Sequence, residues 1–188
     1  MEYVEALRDI KQINEIKRYL KKKHSERDYV LFVFGINTGL KITEMLTIKV
    51  KDVIENGKVK DFLTHTINEV KSIRDVYLND QVKNSLHYYI ETSSLTEEDF
   101  LFMSRKTKMP ITRQQAYRII HQAAESVGVT GKVGTNSMRK TFGFHAYKRG
   151  VAIALLQKHF HHSSPSETLK YLGISKDETI RTEIDVNL

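Results

Sequence analysis

Two stretches of the C-terminal half carry side chains at spacings suited to holding a phosphate. The run Gly134-Thr135-Asn136-Ser137-Met138-Arg139-Lys140 opens a segment of helical periodicity. A helix N-terminus offers free amide N–H groups and the positive end of a dipole, and an arginine in its first turn adds a planar fork of donors. Downstream, His161-His162 is followed by the polar turn Ser163-Ser164 and, at helical spacing, by Tyr171. His159, His161 and His162 do not read as a metal site, because neighbouring histidines point apart and the chain has no cysteine.

The charge around these stretches is one-sided. The 188 residues include 30 Lys and Arg against 23 Asp and Glu, a formal net charge of +7 with histidine neutral. Residues 101–175 hold 12 Lys and Arg but only Glu125 and Glu167, a net of +10, and five of the eight histidines. Solubilising surfaces mix signs, so this segment points to a polyanionic partner, nucleic acid first.

Composition excludes several classes. Without cysteine there is no disulfide framework, thiolate metal site, cysteine nucleophile or iron–sulfur cluster. No apolar run reaches membrane-spanning length, and the N-terminus scatters charges where a signal peptide needs an apolar stretch. A hydrophobic fraction of 40% with 2 Pro and 9 Gly fits a compact, mostly helical, cytoplasmic protein.

The elements that must position these residues follow from periodicity. Ile13, Ile16 and Leu20 predict a helix over 11–23. A second over 26–37 is apolar on most faces and therefore central, ending at Asn37-Thr38-Gly39. A short helix is expected over 42–47. Three β-prone runs, at 52–54, 61–66 and 74–78, predict a small three-stranded antiparallel sheet, with Asn56-Gly57 as a hairpin turn. Helices over 80–92, 112–127, 137–149 and 151–159 follow, and a last one starts near Pro165 with Ser164 as its cap. The expected class is α+β, mostly α-helical.

In this order the motifs resemble the catalytic domain of the tyrosine recombinases, the phage-integrase type. The family's H-x-x-R motif reads Asn136-Ser137-Met138-Arg139 here. Its His/Trp position is His162, 23 residues after Arg139, and its tyrosine is Tyr171, 9 residues further. The T-G-L-R-[IV]-[ST]-E motif reads Thr38-Gly39-Leu40-Lys41-Ile42-Thr43-Glu44, and Lys71 matches the β-hairpin lysine. The resemblance implies a catalytic domain over 1–175 and a tail over 176–188, with the family's N-terminal core-binding domain absent.

It also implies the chemistry, transesterification of double-stranded DNA without metal, ATP or other cofactor. Tyr171 attacks a phosphodiester, leaving a 3′-phosphotyrosyl link and a free 5′-hydroxyl, and a second 5′-hydroxyl reverses the step. Arg139 clamps the nonbridging oxygens, His162 binds the phosphate and Lys71 protonates the leaving oxygen. Lys140, with Arg139, Lys41 and His162, belongs to the expected phosphate-binding set. The implied assembly is four protomers on two DNA sites at the nucleoid, with no membrane or small-molecule substrate. Two positions depart from the pattern. Lys41 cannot make the planar bidentate contact of an arginine, and Asn136 cannot accept a proton at neutral pH. The alternative function is therefore a degenerate DNA-binding relative that regulates or competes with an active recombinase.

Overall fold

The computed structural model describes residues 4–23, 25–67 and 72–175. Lys71 and the expected tail over 176–188 lie outside the described residues.

The first helix, α1 (Ile10–Lys22), buries Ile13, Ile16 and Leu20, and the Asp9 carboxylate caps it by accepting from the Lys11 N–H at 2.7 Å. The second, α2 (Glu26–Thr38), buries every side chain from Val30 to Phe34 and runs through the core. It ends at Gly39, in the left-handed region at φ 65°. A Cβ there would strike the Phe142 ring, so glycine serves both the turn and the close approach of two elements.

Two single turns follow, α3 (Ile42–Met45) and α4 (Val50–Val53). Each is closed by a carboxylate reaching back to the N-cap amide, Glu44 to the Lys41 N–H at 2.7 Å and Asp52 to the Lys49 N–H at 2.8 Å. That second bond corrects the expected strand at 52–54. Side-chain capping outweighs the β-propensity of valine and isoleucine there, and only Ile54–Glu55 (β1) is extended.

The expected three-stranded sheet is, among the described residues, two separate two-stranded ladders. The Asn56-Gly57 turn has φ 51° and 74°, as a tight hairpin requires, but it pairs β1 with Lys58–Val59 (β2) and not with the longer run. That run, β3 (Phe62–Ile67), pairs antiparallel with β4 (Ser72–Tyr77), with His65 opposite Arg74.

The remaining elements are helices. They are α5 (Asp80–Thr92), α6 (Arg113–Ser126), α7 (Thr135–Lys148), α8 (Ile153–Phe160) and α9 (Pro165–Leu172). Asn79, Thr112 and Ser164 cap α5, α6 and α9 through their side chains. The main core surrounds α2, against which α1, α5 and α7 pack. A second, smaller core of Phe144, Leu156, Phe160, Leu172 and Ile174 joins α7 to α8 and α9. Gly143 permits this, since a Cβ there would meet Phe160 and Leu172 at 2.6–2.7 Å. The N-terminal segment ties the same helices. The Leu7 N–H donates to Thr141 Oγ1 at 2.8 Å, and Arg8 donates to the Gly173 carbonyl at the end of α9.

Candidate active site

Arg139, Tyr171 and His162 come together where α7, α8 and α9 meet. Arg139 lies in the second turn of α7 and is only 4% exposed. Its guanidinium donates to the carbonyls of Gly39 and Phe160, the latter at 3.0 Å, and lies 4.6 Å over the Phe160 ring. Its charge acts on the Tyr171 phenol. An arginine held by two carbonyls and an aromatic face is fixed in orientation before any ligand arrives. Its fork retains further N–H groups for a phosphate.

Tyr171 projects from α9 between the Phe160 and His162 rings, whose centroids lie 5.6 and 4.9 Å from its own. Burial pushes its phenol above the ordinary value, and the charge of Arg139 pulls the other way. His162 sits in the turn before α9. Its Nδ1 is 3.0 Å from Thr168 Oγ1, whose own proton goes to the Ser164 carbonyl at 3.3 Å. The hydroxyl therefore accepts from Nδ1–H, and Nε2 carries the lone pair. Burial lowers the basicity of this imidazole, which favours the neutral form.

The other expected residues take different places. Asn136 occupies the first turn of α7, half-buried, three positions before Arg139 and on the same side of the helix. Lys41 is the N-cap residue of α3, its backbone N–H held by Glu44. Lys140, expected as a phosphate contact, is 7% exposed. Its ammonium donates to the Val4 carbonyl at 2.8 Å and lies 4.9 Å over the Tyr171 ring. In this conformation it supports the tyrosine from behind.

Three further residues complete the site. Arg74 on β4 reaches both Glu44 oxygens at 3.2 Å and the His159 carbonyl at 2.7 Å, stapling β4 to α3 and α8. Its Nε is buried without a hydrogen-bond partner among the described residues. The third, His159, donates through Nε2 to the Thr38 carbonyl at 2.8 Å and packs on Phe142. Burial, then the Arg74 charge, lower its imidazole to about 4, so it is neutral. Glu44 belongs to the quoted motif, but strand alternation alone gave Arg74 no partner and left His159 as one of several histidines. No group of three or more His, Cys, Asp and Glu among the described residues could hold a metal ion.

A guanidinium and an imidazole converging on one phenol are the means of a phosphoryl transfer through tyrosine. The model of the phage integrase family matches residues 7–178. The chain belongs to the phage integrase family. A probable integrase/recombinase of Bacillus subtilis (strain 168), YoeC, is 42% identical over 95% of this chain and 94% of its own length. The tyrosine recombinase XerD of Staphylococcus saprophyticus is 29% identical over 94% of this chain, which spans 61% of that relative. Among solved folds, the XerA recombinase superposes with a TM-score of 0.76 at 18% identity, over 94% of this chain and 61% of that one. XerH bound to its difH substrate before cleavage gives 0.72 at 19% identity, over 94% of this chain and 52% of its own. The fold is thus that of tyrosine-recombinase catalytic domains, mostly helical with small antiparallel ladders. Among the described residues of this integrase-family chain, no helix is long and apolar enough to cross a membrane.

Proposed function

We propose that the chain cuts and rejoins double-stranded DNA at specific sites through a phosphotyrosine at Tyr171. The observation that carries this reading is Tyr171 set between the Phe160 and His162 rings, with the charge of a prefixed Arg139 acting on its phenol. In the first step the Tyr171 oxygen bonds to phosphorus while its proton passes to His162 Nε2, whose lone pair suits it to accept a proton in place of the phosphate contact expected from the sequence. The bond to the 5′ oxygen breaks, and Lys71 protonates that oxygen. Arg139 stabilises the charge gathered on the nonbridging oxygens, and Lys41 adds a positive charge from the start of α3. The reverse step uses a 5′-hydroxyl from a partner strand, so no energy source is consumed. Four protomers on two DNA sites would supply the strands.

A nicked duplex bearing a candidate recombination site tests this. Wild-type protein should give an SDS-resistant adduct, and Tyr171→Phe should give none. Lys41 and Asn136 favour the second reading, a relative that binds DNA without cutting. Binding without an adduct, even after Lys41→Arg combined with Asn136→His, would establish that reading instead.

A further inference from the structure

Tyr171 stands near the end of a helix too short to hold itself. The 8 residues of α9 make about two turns, and helices of that length are marginal alone, so the placement of the tyrosine depends on what grips each end. The N-terminal end is gripped locally. Ser164 caps it, and the Glu167 carboxylate accepts from the Ser163 N–H at 2.7 Å. The C-terminal end is gripped from the other end of the chain. Just after Tyr171 and Leu172, the Gly173 carbonyl accepts from the Arg8 guanidinium across 165 positions. A cation at a helix C-terminus also meets the negative end of the dipole.

Arg8 is itself held from α7. Its guanidinium lies 4.7 Å from the centroid of the Phe144 ring, and the segment that carries it is stitched along the same helix. The Leu7 N–H donates to Thr141 Oγ1 at 2.8 Å, and one turn further on His145 Nε2 donates to the Leu7 carbonyl at 2.9 Å. The Val4 carbonyl holds the Lys140 ammonium, which stands 4.9 Å over the Tyr171 ring. Residues 4–8 are therefore a strap that reaches α9 twice, under the tyrosine ring through Lys140 and at the helix end through Arg8. Side-chain packing does not fill the space between these two links. A cavity of about 420 Å³ remains, with Arg8, Gln12, Lys140 and Tyr171 in its lining, so on this side polar links rather than bulk fix the helix.

We propose that Arg8 is a positioning residue for Tyr171, setting the end of α9 so that the phenol oxygen meets phosphorus in line. The proposal rests on the recombinase reading of Tyr171. Arg8 touches no reacting atom and exchanges no proton, and it acts through α9. A misplacement of about 1 Å at a reacting centre can cost roughly 10²-fold in rate, so a short helix with one loose end carries a slow nucleophile.

Arg8 is exposed, so Arg8→Met is expected to fold and to keep an apolar contact with Phe144. On a nicked duplex at saturating protein, its adduct rate should fall roughly 10- to 10²-fold. Arg8→Lys keeps a charged donor for the single carbonyl and should recover most of that loss. Leu20→Ala, a core change near the end of α1, should melt well below the wild type and yet match its rate, which separates position from stability. Amide hydrogen exchange reads the same hold without DNA. In Arg8→Met the amides of α9 should exchange roughly 10-fold faster, the loss of one charge-assisted hydrogen bond, with those of α2 unchanged. A rate deficit that disappears at saturating protein would overturn the proposal, because Arg8 would then serve DNA binding. So would a lysine variant as slow as the methionine variant, or unchanged exchange in α9. A wild type that forms no adduct overturns the recombinase reading, and the exchange comparison then decides by itself whether Arg8 holds α9.

Discussion

Arg139 is held by the Gly39 and Phe160 carbonyls and by the Phe160 face, so its role depends on shape as much as charge. Lysine keeps the charge but loses the planar fork. Arg139→Lys should lower the adduct rate roughly 10²- to 10³-fold. It should also cost about 1–3 kcal/mol in urea unfolding, because buried carbonyls lose donors. His159 makes a different prediction. Its imidazole is lowered from 6.5 to about 4 in the folded protein, so the unfolded chain takes up the proton first. Stability from this residue is complete above pH 6.5 and declines as pH falls toward 4, by at most about 3 kcal/mol. His159→Gln can still donate to Thr38 but does not titrate, and urea midpoints measured across that window should fall less steeply for it.

At the scale of elements, the site is assembled by staples between turns. The pair of Arg74 and Glu44, with side chains 10% and 12% exposed, fixes β4 to α3. Removing one partner leaves the other charge buried, so Glu44→Gln should destabilise the protein by roughly 3–5 kcal/mol. Replacing both residues with methionine should cost much less, and chemical denaturation of the two variants measures the difference. The α2 end is equally constrained. Gly39→Ala adds a Cβ in a left-handed turn against Phe142, and should cost roughly 1–3 kcal/mol in thermal unfolding. It should also slow cleavage, because the carbonyl that anchors Arg139 moves with the turn.

For the whole molecule, the concentration of positive charge in residues 101–175 divides into two uses. Arg139 and Lys140 are buried and organise the site, whereas Arg105, Lys106 and Lys108 are exposed on the turn before α6. If these exposed cations meet phosphates, DNA binding should weaken linearly on a log–log salt plot. Each of Arg105→Ala and Lys106→Ala should lower the slope by about 1, as measured by fluorescence anisotropy over a salt series. The rate of cleavage from bound DNA should stay at the wild-type value in both variants.

Much of this was legible in the chain itself. Helix positions followed from apolar spacing, and the cap of α9 from Ser164, since those signals are local. The order Lys41, Arg139, His162, Tyr171 and the concentration of charge also needed no coordinates. The strand at 52–54 was misread because Asp52 reaches its own backbone, a choice that β-propensity does not register. Tertiary structure alone decided which groups meet. It paired Arg74 with Glu44 across 30 positions and turned Lys140 inward onto Tyr171. The physical reason is that burial and hydrogen-bond partnership are properties of the packed chain. A sequence specifies which side chains can donate, accept or carry charge, but only packing determines which of them remain available for a phosphate.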